Sequence, residues 1–312
     1  MRVVFFGTPA FAVPSLEALL DAGFEVPLVV SQPDRPVGRS SRPRASPVAE
    51  VGVVRQISVE KPERLRGNAA FLERLTEARP DAIVVVAYGK ILPAPILDLP
   101  PLGCVNVHAS LLPRHRGASP VQAAILAGDS ETGVVTMRIV PELDAGPLYL
   151  ERRAAIGPRE DAASLSRRLA REGAELLVET LRGLEAGTLE PRPQVGEPTF
   201  APTIRREDAR VDWKESAAAI DRRLRAYTPW PGLYAVLGGE RIKLLEVEPA
   251  GMILSAREPG MIWEEWGKPM VMAGARTALV LKTLQRAGRR PVSGDEFLRG
   301  IPFRPLRFEP AP

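Results

Sequence analysis

Hydrophobic positions in the first two-thirds of the chain alternate between short apolar runs and segments with helical spacing. Residues 2–6 form an apolar run that ends at Gly7, which predicts a buried strand and a turn. Residues 14–22 place leucines on one helical face and stop at Gly23. Further strands are predicted at 25–31, 81–87, 103–108, 132–140 and 148–156, and helical spacing at 62–78, 119–128 and 162–186. This alternation predicts helices packed on a mostly parallel sheet.

The pattern changes at residues 189–205, where prolines are frequent and large apolar side chains are few. Such a stretch holds neither a helix nor a central strand, so we predict an extended linker. Beyond it, 217–226 has helical spacing, and short apolar runs separated by Gly and Pro predict a small β-barrel at 233–237, 242–247, 260–263, 269–273 and 279–284. We therefore predict two domains, 1–188 and 206–312.

Composition agrees with a soluble globular protein. The chain has 312 residues, 45% of them hydrophobic and 26% charged, which is enough for two cores. Its first residues lack the features of a signal peptide, and no apolar run approaches the roughly 18 residues that span a bilayer. We expect a cytoplasmic protein without membrane contact. Cys104 is the only cysteine, which excludes an intramolecular disulfide and a cysteine zinc site, and we expect no metal.

The charge balance leaves two interpretations open. The formal net charge is +4, and only six of the 42 basic side chains are lysines. Arginine suits phosphate groups because its planar fork donates two hydrogen bonds at once, which favours a nucleic-acid partner. A GC-rich genome would produce the same bias.

Both histidines of the chain lie in one short stretch, 105–117. Strand alternation places Asn106 and His108 on the same face, and His108 at the carboxyl end, where open α/β sheets bind ligands. Asp144, in the loop 141–147, is the candidate carboxylate. By themselves these residues also fit a structural histidine and a turn cap.

An amide donor beside an imidazole suits acyl transfer. When an amine attacks a carbonyl, the oxygen gathers negative charge, and each preorganised donor stabilises it by about 2.7–4 kcal/mol. The amine must also lose a proton, and a nearby carboxylate could raise the pKa of the histidine and orient it. Asn106, His108 and Asp144 are therefore candidate catalytic residues.

Three segments together resemble the signature of the folate-dependent formyltransferases. They are Asn106-Val107-His108-Ala109-Ser110-Leu111-Leu112-Pro113, Arg116-Gly117-Ala118-Ser119-Pro120 and Leu143-Asp144-Ala145-Gly146. The resemblance implies a catalytic triad of Asn106, His108 and Asp144. It also implies folate contacts from the turn Ser110, Leu111, Leu112 and Pro113, and from a pterin-pocket loop that contains Tyr88, Ile91 and Leu92.

The resemblance extends over nearly the whole chain and is closest to the branch that acts on methionyl-tRNA. Phe6-Gly7-Thr8-Pro9, the segment 31–39 and Tyr227-Thr228-Pro229-Trp230-Pro231 carry it. It implies a Rossmann-like N-terminal domain, an OB-like C-terminal barrel, 10-formyltetrahydrofolate as formyl donor and initiator methionyl-tRNA as acceptor. His115 stands where an aromatic residue is common, and Ala109 where glycine is frequent.

Four arginines crowd a loop rich in Ser, Pro and Gly: Arg35, Arg39, Arg42 and Arg44. Such charge runs are usually solvated surface, whereas the resemblance implies a basic loop that engages the acceptor end of the tRNA. In the second domain, a phosphate-binding surface is expected from Lys282, Arg286, Arg289 and Arg290.

Other functions remain open at this point. The same chemistry on a small amine, such as glycinamide ribonucleotide or an amino sugar, would need neither the basic loop nor the barrel. A hydrolase that releases formate from the folate would normally carry a dehydrogenase module. A non-enzymatic RNA-binding protein would not need an intact triad. Gly7 lacks the glycine pair of a dinucleotide fingerprint, and nothing in the chain demands more than a monomer.

Overall fold

The computed structural model describes residues 1–36, 43–254, 256–265, 267–301 and 306–311. Its residues cluster into two compact units. The first contains Met1–Val121, Ser130–Ile156 and Leu165–Pro202. The second contains Gln122–Asp129, Gly157–Ser164 and Thr203–Pro312.

Strands and helices alternate through residues 1–202. The strands are β1 (Arg2–Gly7), β2 (Glu25–Val30), β3 (Arg35–Pro36), β4 (Pro43–Arg44), β5 (Ser58–Glu60), β6 (Ala82–Val86), β7 (Cys104–His108), β8 (Arg116–Gly117), β9 (Glu131–Arg138), β10 (Leu148–Ala155) and β11 (Phe200–Ala201). The helices are α1 (Val13–Asp21), α2 (Pro47–Val54), α3 (Ala69–Glu77), α4 (Ala94–Leu97), α5 (Pro120–Ala127) and α6 (Ala162–Glu185), with a 3-10 turn at Ala10–Ala12.

Seven of these strands form one mixed sheet in the order β10-β9-β7-β6-β1-β2-β5. The pairs from β7 through β5 are parallel, whereas β9 is antiparallel to β7 and to β10. The central strands β1 and β6 are buried over almost their whole length because both faces of the sheet are covered. The carboxyl ends of β1, β2, β6 and β7 therefore share one edge.

Two apolar clusters cover the faces of this sheet. One face packs against α1, α2 and α6 through Leu16, Val48 and Leu177. The other packs against α3 and α4 through Phe71 and Ile96. This is the doubly wound arrangement that the alternating pattern predicts.

The second unit is dominated by antiparallel strands. Its elements are α7 (Ala217–Ala226), β12 (Tyr234–Leu237), β13 (Glu240–Met252), β14 (Met261–Glu265), β15 (Lys268–Met272), β16 (Thr277–Arg286), β17 (Val292–Ser293), α8 (Gly294–Arg299) and β18 (Leu306–Arg307), with a 3-10 turn at Glu207–Ala209. The strand order is β12-β13-β16-β15-β14-β18. Glu309 N–H donates to the Val236 carbonyl in β12, which nearly closes the sheet into a barrel. The predicted fold class, an α/β sheet followed by a smaller β-barrel, is confirmed.

Several predicted elements differ from the observed ones. Helix α3 begins after Asn68, whose side chain accepts a hydrogen bond from the Phe71 N–H. The helix has 9 residues, so it is about half as long as the predicted helical stretch 62–78. Helix α2 was not predicted, although Ser46 caps it in the same way. All of its residues except Glu50 are nonpolar, so the sequence shows little helical periodicity.

The proline-rich segment before residue 203 belongs to the first unit. The backbone of Arg192 exchanges two hydrogen bonds with Leu148, and β11 pairs in parallel with β8. The domain bounds themselves remain a prediction. In the described part of the chain, no helix combines the length and apolar character needed to cross a membrane.

Candidate active site

Polar groups cluster where the parallel strands end. Thr8 follows β1, Gln32 follows β2 and Tyr88 follows β6. The Thr8 hydroxyl and the Gln32 side-chain amide both donate to the Tyr88 carbonyl oxygen, at 3.1 and 3.0 Å. These bonds fix the turns at the edge of the sheet where an open α/β fold holds its ligand.

His108 ends β7, and its ring lies beside the carboxylate of Asp144. His108 Nδ1 is 3.7 Å from Asp144 Oδ2, and their side chains are only 6% and 15% exposed. The same Oδ2 accepts a hydrogen bond of 2.7 Å from the Gly117 N–H. A gap of 3.7 Å exceeds a hydrogen bond, but catalytic contacts are often loose before substrate binds.

Asn106 lies two residues earlier on β7. Val105 and Val107 belong to the apolar cluster on one face of the sheet and Cys104 to the cluster on the other, so alternation places Asn106 and His108 on the Cys104 side. Asn106 is half-buried, and its carboxamide bonds to nothing in the described ranges of the chain. This amide is therefore available to a substrate.

The loop that carries Asp144 adopts an unusual backbone conformation. Asp144 has φ of 47°, a left-handed value that only a few per cent of non-glycine residues adopt. At Gly146, a Cβ atom would overlap the carbonyl oxygen of Arg138. The loop is closed where the Arg138 N–H donates to the Pro147 carbonyl at 2.9 Å. Gly146 therefore allows the sharp return that presents Asp144 to His108.

The His108 ring meets a hydrogen-bond acceptor at each nitrogen. Nε2 lies 3.1 Å from the His115 carbonyl oxygen, and Nδ1 faces Asp144. Burial lowers the pKa of His108, and this outweighs the opposite effects of Asp144 and the His115 carbonyl. A nearby carboxylate was expected to raise this pKa. Asp144 does act in that direction, but the surroundings as a whole lower the pKa of His108. A neutral imidazole has one N–H, so proton uptake would give the ring a second N–H to donate.

The side chains predicted to contact folate are mostly buried. Tyr88 and Leu92 belong to the core beneath the sheet edge, and burial raises the pKa of Tyr88 to about 12. Ser110 is fully buried and donates to the Arg114 carbonyl. Leu112 and Pro113 are also buried and Leu111 is half-buried, whereas Ile91 is 83% exposed. Side-chain contact with folate stays a prediction for all of these residues.

Two of the four arginines predicted to bind tRNA can be placed. Arg35 and Arg44 are exposed and face each other across the short antiparallel pair β3–β4. Arg44 Nε is 3.3 Å from Glu50 Oε1. Arg39 and Arg42 lie outside the described residues.

Arg35 lies near the loop that follows β6. Burial is the main reason that the pKa of Lys90 is lowered, and the charge of Arg35 is the next. The Lys90 ammonium also donates to the carbonyls of Pro62 and Glu63. Arg35 and Lys90 therefore place two positive charges near the loop that follows β6.

Most of the cations predicted to bind phosphate in the second unit have carboxylate partners. Arg286 forms a bidentate ion pair with Glu240. Lys282 Nζ is 2.8 Å from Glu248, and Arg290 is 3.2 Å from Glu296. No carboxylate partner is recorded for Arg289 among the residues that the structure covers.

Three contacts of the site were not found from the sequence. They are the Gly117 N–H on Asp144, the His115 carbonyl on His108, and Gln194, whose amide donates to the backbone of the Asp144 loop. Backbone groups leave no signal in residue types, and Gln194 lay in the predicted linker. Within the described ranges, no group of three or more His, Cys, Asp or Glu side chains could hold a metal ion.

Two family models match the chain. Residues 1–181 match the model described as formyl transferase, and residues 203–302 match the one described as formyl transferase, C-terminal domain. Together they cover most of the chain.

Full-length relatives carry the name methionyl-tRNA formyltransferase. One from Thermus thermophilus is 47% identical over 305 residues and covers 98% of each chain. Another from Solibacter usitatus is 44% identical over 301 residues and covers 96% of each chain. Among solved structures, HypX from Aquifex aeolicus in complex with tetrahydrofolic acid aligns with a TM-score of 0.61 at 18% identity, over 99% of this chain and 50% of that one. This last likeness concerns the fold alone.

Proposed function

This chain belongs to the formyl transferase family, and from that membership we propose that it carries a formyl group from 10-formyltetrahydrofolate to the amino group of methionyl initiator tRNA. Full-length relatives of the same name at 44–47% identity support the tRNA substrate. The product would be N-formylmethionyl-tRNA for translation initiation. We expect the reaction to take place in the cytoplasm.

The formyl donor is a folate in this family, and we propose the 10-formyl form because its N10 can leave as an amine. The sheet edge where β7 ends offers such a substrate an amide at Asn106 that has no partner among the described residues, and a buried imidazole at His108. We propose that the loop of residues 88–92 contacts the pterin through its backbone and through the exposed Ile91 side chain.

Asn106 is proposed to stabilise the oxygen of the formyl group. The amine of the methionyl ester attacks the formyl carbon, the carbonyl π electrons move onto oxygen, and a tetrahedral intermediate forms. The carboxamide N–H can donate to that oxygen without breaking a bond to any residue that the structure describes. A preorganised donor of this kind stabilises the transition state by about 2.7–4 kcal/mol.

His108 is proposed to take the proton that the amine loses. Its lowered pKa keeps the ring neutral near neutral pH, so one ring nitrogen is free to accept a proton. Once protonated, the ring faces the Asp144 carboxylate at Nδ1 and the His115 carbonyl at Nε2, and both stabilise the cation. The proton then passes to N10 of the folate as the carbon–nitrogen bond breaks, which leaves tetrahydrofolate and the formamide.

Arg35 and Arg44, with Arg39 and Arg42, are proposed to bind the tRNA near its acceptor end. Support comes from the exposure of Arg35 and Arg44 and from the effect of Arg35 on Lys90. Exposed guanidinium groups can bind backbone phosphates and release counterions. Arginines that pair with a carboxylate, as Arg44 does with Glu50 and Arg286 with Glu240, are less available for that role than Arg35.

The contact between His108 and Asp144, with the free amide of Asn106 on the same strand face, is the observation that carries this function. The test mixes the purified protein with 10-formyltetrahydrofolate and methionylated initiator tRNA. Formylmethionine should be released on deacylation of the tRNA. Parallel reactions replace the tRNA with glycinamide ribonucleotide, with an amino sugar nucleotide, or with no acceptor. Preferential turnover in any of these would contradict the tRNA assignment.

A further inference from the structure

Gln194 lies outside the predicted catalytic residues, yet its side chain is fully engaged beside them. Its Nε2 donates to the carbonyl oxygens of Asp144 and Gly146, each at 2.8 Å. Its Oε1 accepts hydrogen bonds from Arg116 Nε and Nη2, at 3.2 and 2.6 Å. Of residues 191–200, Gln194 is the only one that is not exposed. The side chain thus joins the Asp144 loop to the strand β8.

One end of this bridge binds the backbone of the Asp144 loop, and the other binds Arg116, the neighbour of a residue that contacts the Asp144 carboxylate. Gln194 binds the carbonyl of Asp144 itself, where φ is 47°. Arg116 precedes Gly117, whose N–H donates to Asp144 Oδ2. A left-handed non-glycine residue persists only where its surroundings fix it, and two hydrogen bonds from one amide do so here. Gln194 therefore holds the conformation that turns the carboxylate toward His108.

The same segment also fixes the backbone on the other side of the ring. The Thr199 hydroxyl accepts from the His115 N–H at 2.9 Å, and the Thr199 carbonyl accepts from the Arg116 N–H at 2.8 Å. His115 supplies the carbonyl that faces His108 Nε2. The two groups on either side of the imidazole are thus held by residues 194 and 199.

We propose that Gln194 is a positioning residue for formyl transfer, which acts through Asp144 and does not touch the substrate. The inference rests on the proposed function. Two residues of the predicted linker, Gln194 and Thr199, then support the active site. Misplacement of a catalytic group by about 1 Å costs up to 10²-fold in rate, so loss of the bridge should reduce turnover strongly.

The test is a double-mutant cycle in single-turnover formylation with saturating tRNA. Gln194→Ala should slow the wild-type enzyme on the order of 10- to 100-fold. In an Asp144→Ala background, the same change should cost less than about twofold, because the group that it positions is already absent. An equal loss in both backgrounds would show a general structural effect and overturn the proposal.

A second variant covers the case in which Gln194→Ala does not fold. Gln194→Glu keeps an acceptor for Arg116 but removes both donors to the carbonyls of Asp144 and Gly146. It should lose turnover to a similar degree, with a melting temperature close to that of the wild type and unchanged tRNA affinity. Full turnover in this variant would overturn the proposal.

A matched control comes from the same segment. Glu197 is exposed and forms no hydrogen bond or ion pair in the described chain, so Glu197→Ala should match the wild type. If the wild type and Glu197→Ala form no formylmethionine, the proposed function itself fails. If both are active and Gln194→Glu equals them, the function stands and the positioning role fails.

Discussion

The active-site edge of the first unit and the charged surface of the second place their polar side chains in opposite ways. His108 is buried and Asp144 is half-buried, and hydrogen bonds with distant parts of the chain hold Asp144 and the neighbours of His108. Arg286 and Arg290 are exposed, and each pairs with a nearby carboxylate. Group transfer needs atoms at fixed distances, whereas phosphate binding needs charge within reach. Single substitutions should therefore be decisive at the first region and weak at the second.

The largest effect is expected from His108→Ala. Removal of a general base typically costs 10²- to 10⁴-fold in rate, and we expect kcat for formyl transfer to fall within that range. Arg286→Ala, which truncates an equally large side chain of the second unit, should change kcat less than about twofold. Steady-state formylation of methionyl-tRNA measures both. Comparable losses would remove the distinction between the two regions.

Asn106→Ala separates chemistry from stability. We expect kcat to fall on the order of 10²- to 10³-fold, because one donor to the developing oxyanion is lost. The melting temperature should stay unchanged, since the carboxamide bonds to no described part of the chain. Asn68→Ala is the converse control. Its side chain caps α3, so it should cost about 1 kcal/mol of stability and leave kcat intact.

A pH titration tests the electrostatics of the imidazole. Burial lowers the pKa of His108 and Asp144 raises it, so Asp144→Asn should lower this pKa further. Two histidines make the imidazole NMR signals simple to assign by substitution. The acid limb of kcat should move to lower pH in the same variant. A rise of the His108 pKa in Asp144→Asn would show that the carboxylate does not act on this ring.

The same lowered pKa sets the sign of a stability change. Below the unfolded value of 6.5, the unfolded chain binds a proton at this histidine that the native state does not. The contribution of His108 to stability is therefore present above pH 6.5 and is lost as the pH falls toward the native pKa. Urea unfolding across this pH range measures it, with His108→Gln as the comparison.

The smallest effect is expected at the basic loop. Arg35→Ala should weaken tRNA binding and lower the slope of log affinity against log salt by roughly one unit per lost phosphate contact. Neither kcat nor the melting temperature should change much. Arg286→Ala, paired with Glu240, should leave the slope unchanged. An equal change of slope in the two variants would mean that ion pairing does not distinguish these surfaces.

Local sequence patterns predicted the helices and strands in which the spacing of hydrophobic residues matches the spacing of buried positions. The apolar run before Gly7 is β1, and the amphipathic stretch 162–186 is α6. Helix α2 was missed because its residues are nonpolar except for Glu50 and show little helical periodicity, and because the start signal of Ser46 and Pro47 was not recognised. The stretch 62–78 was too long because the Asn68 cap was not recognised.

Part of the candidate site was likewise predicted from the sequence, and part was not. Alternation places Asn106 and His108 on one strand face. Asp144 was a candidate from its loop, the resemblance joined the three residues in a triad, and Asp144 lies beside the His108 ring. Gln194 escaped notice because its partners are 48 to 78 residues away in the chain and two of them are carbonyl oxygens. Prolines around it predicted an extended chain correctly but said nothing about what one amide among them binds.

The central claim is that Asp144 acts on His108 during formyl transfer. Single-turnover transfer from 10-formyltetrahydrofolate to methionyl initiator tRNA, measured for the wild type and for Asp144→Ala at saturating tRNA, tests it most directly. We expect the rate to fall on the order of 10²-fold or more, with the tRNA dissociation constant changed less than about twofold. An unchanged rate, or a loss explained entirely by weaker tRNA binding, would contradict this account.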